Sequence, residues 1–407
     1  PFHGAAMGSI RTSDARCVRA WIVSVTFQPA ALTRPTLMRI GPCWLMAEQR
    51  GLVPALVETP EHGKWPYGHI EWCPRDQQGW GCLFEPLSAC DAFAQRRINR
   101  QREGANDTAQ LGGDGADGGQ RVYSRADGIP KAALQAPEGM SGSVLGVRTH
   151  GSLWWRAQLV ARIARPSAKL GALLRQLRNA LGLRSGYISA HVRMGDSCTH
   201  PARFSAAGPG APSTAGCVPV GEYLAATERL AQAYGVYHVF LASDDAEAVK
   251  AFKASKVLTD VWHLEMDRSG LFNSSWLIEH RMAAQVLDGA SGTSLHTIRL
   301  LNLSYRFFHR ISIALQCTNR SLSVTRHSHI GMTQVLDVES VTLSAAADLF
   351  LMGDGDFFVG SFGGHLSRLA FELMVGRKGR VVPYVSVDRP WCFQSPVEYG
   401  TGFIDFC

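Results

Sequence analysis

Residues 191–196 read His191-Val192-Arg193-Met194-Gly195-Asp196, which puts an imidazole, a guanidinium and a carboxylate within six positions. The run follows a short β-like stretch, Tyr187-Ile188-Ser189-Ala190, so these side chains are expected where a strand gives way to a loop. In an open α/β sheet, ligands bind in the crevice beyond the carboxyl ends of the strands. A guanidinium there suits a diphosphate, because its planar fork donates paired, charge-assisted hydrogen bonds. Taken alone, the hexapeptide also reads as a surface ion pair at a strand end.

A second group lies at Ser361-Phe362-Gly363-Gly364-His365. Two glycines let a backbone approach a ligand closely, and the free N–H groups of a helix N-terminus follow at once, a combination that suits phosphate. An ordinary strand-to-helix turn is the plainer reading. Arg368, one turn further on, can reach the same anion or pair on the surface with Glu372 at i, i+4. Asp348, on a preceding helix, has the chemistry to accept two hydrogen bonds from a guanine edge, or it is a cap or a solvated helical residue. Asp244 and Asp245 follow a strand and suit a general base or a sugar-hydroxyl ligand, with simple N-capping as the alternative.

These positions need a scaffold, and the hydrophobic pattern supplies one. Residues 153–163 are helical in pattern, Pro166 interrupts them, and Leu170, Leu173, Leu174, Leu177 and Leu181 continue one apolar face. Helices are then predicted over 221–234, 246–254, 343–352 and 366–375. Strands are predicted over 236–242, 261–265, 357–360 and 381–385. Strands alternating with helices imply a parallel sheet, hence an α/β, Rossmann-like domain from about 185 to 390. Upstream, 20–27 and 52–58 read as strands, and 79–90 as a strand end packed under a loop. Residues 97–133 have the composition of a solvated insertion. Gln285-Val286-Leu287-Asp288 recurs as Gln334-Val335-Leu336-Asp337, and the aperiodic stretch between, about 289–333, reads as a second insertion.

Composition narrows the classes. The 407-residue chain is 46% hydrophobic and 18% charged, the balance of a folded protein, with room for two domains. Its net charge of +7 is spread thinly, with no basic run interleaved with aromatics, so no nucleic-acid partner is expected. No apolar window is long enough to span a membrane. The chain begins at Pro1 rather than Met, and is read as lacking an N-terminal segment in which a membrane anchor would sit. No G-x-x-x-x-G-K-S/T segment occurs, and no G-x-G-x-x-G follows a first strand, which argues against a P-loop kinase and a dinucleotide-binding dehydrogenase. Four glycosylation sequons, at Asn106, Asn273, Asn302 and Asn319, point to the secretory pathway. In that setting Cys198 and Cys217 are disulfide candidates, as are Cys73, Cys82 and Cys90 in some combination. Cys198 and His200 lack a second ligand pair and are not read as a metal site.

At family level the hexapeptide resembles the H-x-R-x-x-D motif of the α-1,6-fucosyltransferases and their bacterial chitooligosaccharide relatives. Trp154-Trp155 with Gln158-Leu159 and Arg165-Pro166 are similar to that family's W-W-x-x-Q-F/L … R-P segment. Leu241-Ala242-Ser243-Asp244-Asp245 resembles its L-A-T-D-D. Asp348 through Phe358-Val359-Gly360-Ser361-Phe362 and on to Arg368, Ala370 and Glu372-Leu373-Met374 resembles its D-x-x-x-L … F-x-V-x-T-F-S-S … R-x-A-x-E-I/L-M block. Trp80 to Cys90 resembles its W … F-x-P-L/V-S-x-C stretch. The segments keep their order from about residue 72 to 393.

The resemblance implies a GT-B-like fold of two Rossmann-like halves. The expected division is an unassigned 1–50, an N-terminal acceptor-side half over 51–150, and a donor-binding half over 151–407. It implies inverting transfer of fucose from GDP-fucose to a hydroxyl of a glycan or glycoprotein, without a metal, in the Golgi or secretory lumen. Donor binding is then expected at His191, Arg193, Met194, Asp245, Asp348, Ser361, Gly363, Gly364, His365 and Arg368. Arg193 would grip the β-phosphate, His191 and Asp348 the guanine side, and the Gly364 N–H a phosphate oxygen. The catalytic set is Arg193, Asp196 and Asp244, with Asp196 preferred as base. The chain departs from the family pattern at Met194 (a second arginine there), Ser197 (lysine), Pro201 (the family's proposed glutamate base), Gly363-Gly364 (paired serines) and His365 (glutamine). The alternatives are a catalytically impaired GDP-sugar or glycan-binding protein, and another GDP-fucose-dependent enzyme such as a protein O-fucosyltransferase.

Overall fold

The computed structural model describes residues 21–24, 54–57, 67, 70–74, 79–88, 90–91, 147–195, 198, 217–265, 337–391, 393–396 and 403–406. The stretches 97–133 and 289–333 lie outside them, as does Asp196.

The chain begins its described course with two short strands, β1 (Trp21–Ser24) and β2 (Pro54–Val57), paired in parallel. A single helical turn, α1 (Trp80–Leu83), stands where a strand end was expected. Phe84 then bridges to Pro166, and Ser167 Oγ donates to Cys82 O at 2.8 Å. This segment packs into the main apolar core. Trp80, Leu83, Phe84 and Leu87 belong to the same apolar cluster as Phe350 and Phe371.

The helical pattern around Pro166 resolves into α2 (Val147–Ile163) and α3 (Ala168–Leu181). Ser167 caps α3 by accepting from Leu170 N. The central sheet follows: β3 (Ile188–Val192), α4 (Val220–Tyr234), β4 (His238–Ser243), α5 (Ala246–Lys253), β5 (Asp260–Trp262), α6 (Val338–Met352), β6 (Phe357–Gly360), α7 (His365–Lys378) and β7 (Tyr384–Ser386). A small antiparallel pair, β8 (Phe393–Pro396) and β9 (Phe403–Phe406), ends it. No helix among the described residues is long and apolar enough to cross a membrane.

The five strands run parallel in the order β5-β4-β3-β6-β7. Counted in chain order within the sheet, that is 3-2-1-4-5, the Rossmann winding. The order reverses between β3 and β6, so the crevice between their carboxyl ends is the topological switch point. The loops after those two strands carry the hexapeptide and the glycine pair.

Strand alternation sorts the core into two layers. Ile188, Ala190, Val192, Val239 and Leu241 face α4 and α5. On the other face, Tyr187, Phe240, Ala242 and Phe358 pack with α2, α3, α6 and α7. Ser189 and His191 share this second face, and Ser189 Oγ donates to Met352 O at the end of α6. Disulfides join Cys73 to Cys82 and Cys198 to Cys217, two of the pairings open in the sequence.

Candidate functional site at the strand switch point

β3 runs two residues further than the apolar pattern predicts, so His191 is in the strand rather than the loop after it. It is 5% exposed, and its Nδ1 lies 2.5 Å from Ser367 Oγ in the first turn of α7. One hydrogen bond thus spans the switch point. Burial lowers the His191 pKa to about 4; the Asp244 charge opposes this shift and the Arg193 charge adds to it. The imidazole is therefore neutral near pH 7, able to recognise an uncharged group rather than to carry charge.

Arg193 leaves the strand end half-buried and donates from Nη1 to Asp244 Oδ2 at 2.6 Å. The Met194 N–H donates to the other oxygen, Asp244 Oδ1, at 3.0 Å. Asp244, expected among the candidate bases, thus has both oxygens in the clamp that orients the guanidinium. The neighbouring Ser243 Oγ donates to Val192 O, which ties the ends of β3 and β4 together. Asp245 caps α5, accepting from Glu247 N at 2.9 Å, so the capping reading describes its placement. The half-buried Met194 side chain packs against the α4–α5 cluster.

Across the switch point the glycine loop is built differently from its expected form. The N–H groups of Phe362 and Gly363 donate to Asp388, at 2.8 and 2.7 Å, and Ser361 Oγ does so at 2.6 Å. The anion closest to these N–H groups is the protein's own carboxylate. The Gly364 N–H donates to Ser361 O within the turn, not outward. Gly364 gives α7 no side-chain cap, and the helix begins at half-buried His365.

Arg368 is fully buried, which removes the surface ion-pair reading. Glu372, also fully buried, accepts from Trp391 Nε1 at 3.1 Å and has Arg156 Nε at 3.8 Å. Asp348 is half-buried on α6. It lies four positions before Met352, whose carbonyl accepts from Ser189 Oγ on β3. Asp348 thus belongs to a helix packed on the sheet face that carries His191.

Sequence reasoning did not single out Asp388, Tyr223 or Gly195. Tyr223, buried in the first turn of α4, brings its hydroxyl within hydrogen-bonding reach of Ser361, and burial, with the Asp388 charge, raises its pKa. A Cβ on Gly195 would collide with Asp244 Oδ2. The signal for Asp388 was present: Ser386-Val387-Asp388 sets an acid just past a strand, as Ser243-Asp244 does. Among the described residues no group of three or more His, Cys, Asp or Glu is arranged to hold a metal ion.

Fold and site together define a Rossmann-like α/β domain with an arginine after one strand of its switch point and a glycine loop after the other. No protein-family model matches the chain, and no curated protein sequence matches it. Among solved structures it is similar to the alpha-1,6-fucosyltransferase NodZ co-crystallized with GDP, at 14% identity over 90% of this chain and 94% of that one, with a TM-score of 0.38. It is also similar to fucosyltransferase NodZ from Bradyrhizobium (14% identity, 91% and 96% covered, TM-score 0.39). POFUT1 in complex with GDP-fucose is similar at 9% identity, 91% and 98% covered, with a TM-score of 0.42.

Proposed function

We propose that this chain binds GDP-fucose at the β3/β6 switch point and transfers fucose, with inversion, to a hydroxyl of a glycan. The observation that carries the reading is Arg193, oriented by Asp244 at the end of β3, one of the two strands at the switch point, the other of which, β6, leads into the glycine loop. In the reaction, the bond from fucose C1 to the β-phosphate oxygen breaks and its electron pair leaves with GDP. The acceptor oxygen bonds to C1 from the opposite face, and its proton passes to a carboxylate base. Negative charge grows on the leaving diphosphate, where Arg193 and the N–H groups of the first turn of α7 would stabilise it electrostatically. Neutral His191 and Asp348, on the same side of the sheet, would meet the guanine side. With Asp244 and Asp245 both held in structural hydrogen bonds, the base falls to Asp196.

The acceptor is an N-glycan core N-acetylglucosamine or a related chito-type sugar by the motif resemblance, in the secretory lumen. The Cys73–Cys82 and Cys198–Cys217 disulfides support an oxidising compartment. A second reading, a GDP-sugar-binding protein without turnover, is favoured by one observation: both described candidate bases are already engaged. Release of GDP from GDP-fucose, measured with a panel of N-glycans, chito-oligosaccharides and peptide acceptors, decides between them. Turnover that is lost in Arg193→Ala supports the transferase. GDP binding without turnover on any acceptor supports the binding protein.

A further inference from the structure

Ser367 and His191 form a closed pair across the switch point. The serine, in the first turn of α7, is fully buried, so its hydroxyl has no solvent to bond. Among the described residues, the only hydrogen-bond partner of Ser367 Oγ is His191 Nδ1, at 2.5 Å. The hydroxyl lies against two glycines. A Cβ on Gly360 would stand 3.2 Å from Ser367 Oγ, and one on Gly364 3.6 Å.

A hydroxyl carries one hydrogen, and buried polar hydrogens find acceptors in folded proteins. The acceptor within reach of Ser367 is the Nδ1 lone pair. A neutral ring whose Nδ1 accepts must carry its own proton on Nε2. The reverse arrangement, with Nδ1–H donating to Oγ, would leave the serine hydrogen buried without an acceptor. Nε2 has no hydrogen-bond partner among the described residues, and it is not one of the fully buried unpaired atoms. It is therefore the ring nitrogen that a bound molecule can reach.

We propose that Ser367 is a positioning residue for the site: by donating to Nδ1 it fixes the His191 ring and keeps the proton on Nε2, so that a bound molecule meets an N–H there and must offer an acceptor. The inference rests on the GDP-sugar reading, in which His191 meets the nucleotide. Nitrogen NMR of the histidine-labelled chain at pH 7 tests it, with the His191 signals assigned by their loss in His191→Gln. In the wild type Nε2 should carry the proton and Nδ1 should not. Saturating GDP should shift Nε2 more than Nδ1. In Ser367→Ala the second tautomer should appear, and GDP should bind about two- to tenfold more weakly, the range for one ordinary hydrogen bond. Ser367→Thr, which keeps the hydroxyl, should restore both readouts. A proton on Nδ1 in the wild type overturns the inference, whether or not any variant folds. An unchanged tautomer balance or undiminished GDP affinity in folded Ser367→Ala overturns it too, and leaves the GDP-sugar reading intact. Failure of the wild type to bind GDP overturns that reading and this inference with it. The tautomer is read without ligand, which keeps the two failures apart.

Discussion

Gly195 and Asp244 are fitted to each other. A side chain at 195 would collide with Asp244 Oδ2 and bring a Cβ to 3.2 Å from its carboxylate carbon, on the oxygen that accepts from Arg193. The glycine of the hexapeptide is thus part of the guanidinium clamp rather than a generic turn residue.

Gly195→Ala is therefore expected to displace Asp244 and loosen Arg193 while β3 and β4 keep their pairing. Losing one hydrogen bond to a charged group is worth about 1.5–3 kcal/mol, or roughly a ten- to hundredfold rise in the GDP dissociation constant. Circular dichroism should stay unchanged. Undiminished GDP affinity in a folded Gly195→Ala protein would remove the clamp from the account.

The two loop glycines should differ. Gly363→Ala meets Asp388 Oδ2 at 2.6 Å, whereas Gly364→Ala meets nothing nearer than Ser361 O at 3.4 Å. Thermal unfolding should show Gly364→Ala close to the wild type. Gly363→Ala should be destabilised by about 1–3 kcal/mol, the usual cost of overpacking.

Helix packing offers a control away from the site. A Cβ on Gly376 would collide with the Ala157 carbonyl and lie 2.7 Å from Ala161 Cβ, where α7 lies against α2. Backbone cannot yield as a flexible side chain can, so Gly376→Ala should lower the denaturant midpoint. Protein that remains folded should keep its GDP affinity.

His191 makes stability depend on pH. Its folded pKa is about 4, below the 6.5 of an unperturbed imidazole. Between those values the unfolded chain binds a proton that the folded chain does not. The stabilisation is full above pH 6.5 and falls as pH drops towards 4, on the order of 3 kcal/mol in all. Urea unfolding from pH 7 to 4 should show that decline, and His191→Gln should flatten it.

Much of this was legible in the chain. Alternating strands and helices carried the sheet, and the position of Pro166 carried the break between α2 and α3. Element ends were less legible. β3 continues through His191 and Val192 because both are buried by neighbouring layers, which a local apolar pattern ending at Ala190 does not reveal. Arg193 and the glycine loop stood out by residue type, but their partners did not. Asp388 lies 25 residues beyond Gly363, and Arg193 and Asp244 are 51 apart. Parallel strand order, not local sequence, brings those pairs together. Trp80–Cys90 misled because its burial depends on α3 and α6, far along the chain.

Titration of GDP-fucose into the wild-type chain and Arg193→Ala, each verified as folded, tests the central claim most directly. The account predicts binding by the wild type and a dissociation constant at least about tenfold higher in the variant, as expected for removing a charge-assisted phosphate contact. Equal affinities would contradict it, because the guanidinium at the end of β3 would then not hold the diphosphate.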